Sequence, residues 1–509
     1  MHLQHEDKNV KFQHANCQKK ICMNSLFRST KPQCILADFG KVFNTSKSFG
    51  PVSVLEKARL CSSIDVFFSH VWGSDPKLRY VGLLWYVNAI KAGFSAVILT
   101  LVTCFSVLVS LSERTIYKVE ATTKLSIQSL TAIYGTVLWC VLLMYMQNIM
   151  SWINLPPLDC FLDRCCIEQV DAVEKENGVH QIPTILANSN RLVILLSSEY
   201  FDRLWCCYEL AVFKSSSVSP GSVSFVPLRL VLVSMLMMMF DLVSILLFSS
   251  DIRLQVANQQ AIAFLVVSIT FSVATALLAY LFAYMWYKDL CRYDDKLRKF
   301  SLSETMCSEL KDRALLLADI DHRFHGLQSF EKYVQTELRA EIGTNRPKLK
   351  YLWFISLPTL LGVLAFIIIV PQRMGLFCLS EYKHDFVTED FGLCAIIDRA
   401  RELNYLVITS RIIRFLCYYP VIIQLILLLC ELATKISNSK AVRGIIHSTG
   451  IACTAILVYF ENKGHEANDL WLYHVITSSV TVALFIVLYI LPHFFQNKKQ
   501  RDIIHSKHQ

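Results

Sequence analysis

The chain has 509 residues, of which 54% are hydrophobic and only 18% charged, with a mean hydropathy of +0.41. A purely water-soluble globule with that balance would have more apolar surface than its core could bury, so a bilayer is the expected solvent for much of the chain. The net charge of +9 requires no nucleic acid. Lys and Arg beside apolar runs account for it, through membrane orientation and contact with anionic lipid.

Residues 1–60 show no sustained periodicity and no apolar core of a signal peptide. They are expected to be disordered, which leaves the first hydrophobic helix as the insertion signal. Ile64-Asp65-Val66-Phe67-Phe68-Ser69-His70 is a short apolar run ending in polar residues, the pattern of a buried strand in a parallel sheet. Leu78, Val81, Leu84, Trp85 and Asn88 then recur every three or four residues, which predicts a helix. Two apolar runs, 93–111 and 126–149, follow as a transmembrane hairpin spanning 93–149.

Soluble character resumes at 158–216. Cys160-Phe161-Leu162-Asp163 is a short strand, 168–178 a polar loop, and 183–188 a helix. Arg191 to Ser197 forms a stronger strand, and Tyr200 to Leu210 a turn entering an aromatic-rich helix. Runs 230–248 and 261–287 form the next pair of spans (230–287), and Asp241 is the one deep intramembrane charge. Segment 288–350 is expected to be a basic amphipathic helical pair, with Ser303 and Glu304 starting one helix and Ser329 the other. It either docks on the neighbouring soluble domain or lies on anionic lipid.

Region 351–434 holds spans 351–370 and 415–434 around a loop in which Cys378 and Cys394 are a candidate disulfide, if that side is oxidising. Spans 444–460 and 470–495 (444–495) and a basic tail, 496–509, complete about eight transmembrane helices. Most Lys and Arg fall in one alternating set of segments, which places both termini in the cytoplasm.

Asp65 leading an apolar strand that ends in Ser69 resembles the first box of a TIR domain. Phe161-Leu162-Asp163 is similar to the second strand. The strand ending at Ser197, then Tyr200 and Trp205-Cys206-x-x-Glu209-Leu210, resembles the family's later strand and its Trp-Cys-x-x-Glu-Leu segment. The resemblance covers 61–92 plus 158–216 and implies a split, cytoplasmic, flavodoxin-like α/β domain with a parallel sheet, set in an α-helical polytopic membrane protein. A helical hairpin returns its ends close together, so the flanking strands could stay adjacent across it. The alternative, in which the two halves never pair, stays open at this point.

Some TIR domains cleave NAD, and the family's glutamate position, aligned through Ser189 and Ser197, falls on Ala187. The resemblance therefore implies an association or scaffold role, with no catalytic residue, cofactor or metal. The implied partners are the lipid bilayer and a second copy, through the exposed stretch 164–181. A transporter or channel centred on Asp241 is the alternative. An NAD hydrolase borrowing Glu168, Glu174 or Glu176 is a lesser one. Glu209 is taken as a helix-surface or capping carboxylate. Cys160, Cys165 and Cys166 lack zinc spacing, which leaves packed thiols or lipid-modified cysteines.

Overall fold

A computed structural model describes residues 27–44, 58–110, 127–216, 222–247 and 261–343, with scattered positions between 357 and 429. Most of the four expected spans after residue 350, the Cys378–Cys394 loop and the basic tail lie outside the described residues. The chain divides into two compact units. One gathers 1–90, 143–232 and 289–346, and the other 91–142, 233–288 and 347–509. The described chain is mostly helical with a small parallel sheet.

The first unit opens with β1 (Phe27–Ser29), α1 (Pro32–Gly40, which leaves helical geometry from Ala37 on), a tight turn at Lys41–Phe43 and β2 (Arg59–Cys61). β3 (Val66–Ser69) leads into α2 (Pro76–Ser110), whose residues up to 90 belong to this unit. After α3 (Ile127–Trp152) come β4 (Cys160–Phe161), α4 (Asp163–Cys166), α5 (Ala172–His180), α6 (Ile182–Ala187) and β5 (Arg191–Leu196). Then follow α7 (Leu204–Ser215), β6 (Ser222–Pro227), α8 (Leu228–Leu247) and α9 (Ala261–Arg298). α10 (Leu310–Phe324), α11 (Leu327–Tyr333), a wider turn at Val334–Leu338 and α12 (Arg339–Gly343) close the described chain before residue 344.

Four strands form a parallel sheet in the order β4-β3-β5-β6. Val66 is paired with Cys160, Phe67 with Leu192, and Leu192 with Val223. β3 thus sits between two strands that follow it by way of two long apolar helices. β3 is buried throughout, and β5 from its second residue on. That burial explains why both read as near-continuous apolar runs, as inner strands of parallel sheets do. The rings of Phe67 and Phe161 stack with centroids 4.8 Å apart across the β3–β4 pair.

The expectation of disorder over residues 1–60 is corrected for 27–44 and 58–60. β1 and β2 pair antiparallel. Thr30 and Cys160 exchange backbone hydrogen bonds of 2.8 and 2.9 Å, which covers the outer edge of β4. Asp159 ties this arm down. It accepts from Ser29 Oγ at 2.6 Å and takes a bidentate Arg59 fork at 2.7 Å on each oxygen. These contacts are long-range, and nothing in local periodicity announces them.

Two further expectations change. The expected polar loop 168–178 contains the start of α5, because Asp171 accepts from the amides of Val173 and Glu174 at its N-terminus. Ser303 does not start α10. Met306 bonds Asp202 and Leu204 through its backbone, at 2.8 and 2.9 Å. This pulls the chain out of helix, so α10 begins at Leu310, and α11 begins after Gly326 rather than at Ser329.

α2 is one continuous helix where a short helix and a separate span were expected. It runs antiparallel to α3: Asn88 Nδ2 donates to Leu143 O at 2.8 Å and Gln147 Nε2 to Asn88 Oδ1 at 2.7 Å. Pro76–Val107 and Ser129–Trp152 are the two helices among the described residues long and apolar enough to cross a membrane. Asp241 lies in α8.

Candidate functional site

The strand order reverses around β3: the chain leaves β3 for β4 on one side and returns to β5 on the other. In open parallel sheets the crevice beyond the carboxyl ends of such strands is where ligands sit. Residues at this edge are Ser69, which ends β3, with His70 and Trp72 just after it, Asp163 just after β4, and Ser197 just after β5. Tyr200 and the first turns of α7 complete it.

Ser69 is the junction. Its Oγ lies 2.5 Å from Glu209 Oε2, to which it donates, and 2.7 Å from the Tyr200 hydroxyl. The Tyr200 hydroxyl also lies 3.2 Å from Cys206 O and shares its one hydrogen between that carbonyl and Ser69, and Cys206 Sγ donates to His70 O at 3.6 Å. Burial raises the Glu209 carboxyl to about 8, and the charge of Asp163 adds to the rise while the Ser69 hydrogen bond opposes it. Burial pushes His70 down to about 4, so it is neutral at physiological pH; Asp163 works against that shift, and Arg79 and Arg164 reinforce it.

Beside this core lies a charged and aromatic cluster. Trp72 Nε1 donates to Asp163 Oδ2 at 2.5 Å, and the Arg164 guanidinium lies 5.9 Å from the Trp72 ring centre. Trp72 remains 42% exposed, so one aromatic face stays open on the rim.

The residues that carry the sequence resemblance divide between the two ends of the sheet. Ser69, Asp163, Ser197, Cys206 and Glu209 are at the carboxyl end. Asp65 is at the opposite end, where its Oδ2 accepts from Asp159 N at 2.9 Å and Oδ1 from Asn190 Nδ2 at 3.4 Å. Trp205 packs edge-on against Tyr208, with centroids 5.7 Å apart.

Glu209, expected as a helix-surface or capping carboxylate, is half-buried and turned toward Ser69, and desolvation is the largest influence on its protonation. Ala187, by contrast, ends α6 just ahead of the amino end of β5, where Ile64 bridges Ser189. A missing carboxylate there says nothing about the crevice. Glu168 caps its own turn by accepting from the amides of Gln169 and Val170. Glu176 pairs with Lys311 at 3.7 Å.

Cys160, Cys165, Cys166, Cys206 and Cys207 are free and buried. Burial pushes their thiols up, that of Cys166 to about 12, so they pack as neutral side chains and are not exposed for lipid attachment. No group of three or more metal-ligating side chains occurs among the described residues.

Residues 289–343 dock on the α/β elements of the same unit. Tyr208 Oη donates to Asp319 Oδ2 at 2.7 Å, and Arg323 holds that oxygen at 2.8 Å. Lys296 bonds Asp202 Oδ2 at 2.5 Å and Ser198 O at 2.8 Å. The helical region thus grips both α7 and the loop that follows β5. Comparison with protein-family models, with curated proteins and with solved structures finds no match.

Proposed function

We propose that this chain is a multi-pass membrane protein carrying a TIR-like module that signals or scaffolds at the cytoplasmic face, by association with a second copy. The observation that carries this reading is the sheet. Segments separated by two apolar helices close into one parallel β4-β3-β5-β6 array with the motif residues Ser69, Asp163 and Glu209 gathered at one edge. Val170 and Val173, 66% and 68% exposed, are the large hydrophobic side chains left open in stretch 164–181 and are the contact residues of the proposal. Mass photometry of the full chain in nanodiscs tests it. The expected result is a dimer or larger that V170E/V173E reduces to monomer; a wild-type monomer at micromolar concentration overturns it.

Glu209 favours a second reading, hydrolysis of a ribosyl bond such as that of NAD. A crevice carboxyl raised to about 8 exchanges protons near neutral pH, as acid–base catalysis requires. Water would add to the ribosyl carbon, nicotinamide would leave with the electron pair of the broken C–N bond, and Glu209 would take the proton. The purified chain should then release nicotinamide faster as pH approaches about 8, and E209Q should lose at least a hundredfold. Equal rates in E209Q and wild type overturn this reading.

A further inference from the structure

One segment crosses the carboxyl edge of β3 and β4 without belonging to the sheet. Residues 41–44 are held there by both arginines of the crevice. Arg79 Nη2 donates to Phe43 O at 3.0 Å, and its guanidinium lies 5.3 Å from the Phe43 ring centre. Arg164 Nη1 donates to Val42 O at 3.1 Å and also to Asn44 O. The Phe43 ring meets His70 edge-on at 5.8 Å. Phe43 is 1% and Arg79 2% exposed, so the segment and Arg79 are buried together, while Arg164 stays half-buried at the edge.

Two features distinguish this hold from ordinary core packing. Arg79 Nε is buried with no acceptor, although it belongs to a guanidinium whose N–H groups all need one. Every acceptor the two arginines take from the segment is a neutral backbone carbonyl. Anionic oxygens make guanidinium hydrogen bonds roughly twice as strong. Of the two acids that act on Arg79, Asp163 already accepts from Trp72 and from the amide of Arg164, and Asp75 accepts from the amide of Lys77. Just ahead of the segment, Asp38, Phe39 and Gly40 hold φ of 50°, 56° and 69°, two of them without glycine's freedom. Such a run persists only while its surroundings fix it.

We propose that residues 41–44 are an autoinhibitory strap over a phosphate site made by Arg79 and Arg164, and that a phosphoryl-bearing ligand takes both guanidiniums, lifts the strap and opens the crevice toward Glu209. The proposal rests on the reading of this crevice as the functional centre. It requires neither dimerisation nor NAD cleavage.

Hydrogen exchange on the full chain in detergent, with inorganic pyrophosphate as probe, tests it. Pyrophosphate should speed amide exchange over 41–44 at least tenfold. R164Q should raise the pyrophosphate Kd at least tenfold. F43A should lower it, because a strap with fewer contacts taxes binding less. R79Q and F43A each remove a buried side chain, so R164Q carries the test, with the melting curves of R164Q and F43A measured alongside.

Nanodiscs of phosphatidylcholine, with and without phosphatidylinositol 4-phosphate, separate the two sources. Faster exchange on adding the phosphoinositide alone assigns a lipid headgroup; faster exchange only with pyrophosphate assigns a soluble ligand. Three results overturn the proposal: binding that leaves exchange over 41–44 unchanged, binding indifferent to R164Q, or no pyrophosphate or phosphoinositide binding by either wild type or F43A. Because the readout is neither turnover nor oligomeric state, failure of the functional readings leaves it standing.

Discussion

At the scale of single residues, Glu209 decides most. Its carboxyl, ordinarily near 4.5, is raised to about 8 by burial, so the folded state holds a proton that the unfolded chain gives up. Stability is therefore full below about pH 4.5 and falls as pH rises toward about 8, with a limiting slope of ~1.4 kcal/mol per pH unit. E209Q, neutral at every pH, should remove that slope. Melting curves of the detergent-solubilised chain between pH 5 and 8 measure it, and a slope unchanged in E209Q would contradict the buried assignment. Trp205 and Glu209 are legible as a pair one helical turn apart, but a helical glutamate reads the same whether it faces water or a crevice. Only the fold brings Ser69, 140 positions earlier, against it.

At the scale of elements, the docking of α10 on α7 is the most exposed to test. Tyr208 reaches across to Asp319, which Arg323 also holds. Y208F removes one hydrogen bond to a charged acceptor, worth about 1.5–3 kcal/mol. Exchange protection should fall in 310–324 and remain in β3 and β5; equal loss in all three would mean that the region is not a separately docked element. The inner strands were readable because burial on both faces makes them unbroken apolar runs. β6 was not. Ser222-Val223-Ser224-Phe225-Val226-Pro227 is short, mixed, and runs straight into the apolar helix α8, which masks it. β1 and β2 were hidden for another reason: three residues each give too little pattern, and their partners Asp159 and Cys160 lie far along the chain.

At the scale of the whole molecule, the sheet and the apolar helices impose one topological demand. β3 and β4 are parallel neighbours, so the chain that leaves at α2 and returns at α3 comes back to the side it left. A glycosylation acceptor inserted within 112–125 should be modified in a membrane-coupled translation system, and one inserted within 168–178 should not. Modification of both, or of the second alone, would contradict the proposed topology. Composition and the long apolar runs carry the expectation of a bilayer, and the resemblance of the motifs in order carries the idea of a split domain. The register Phe67–Leu192 is a property of the folded chain only.

The interruption also sets a timetable. Between Ser69 and Cys160 lie about 90 residues, which a ribosome adding ~5–20 residues per second takes several seconds to deliver. For that interval Val66, Phe67 and Phe68 have emerged without either of their neighbours. A chaperone must shield them, or they must wait against the nascent apolar helix beside them. Assembly of the sheet is thus ordered behind delivery of the first two apolar helices, and a defect in their folding would show itself as aggregation of a strand that contains no error.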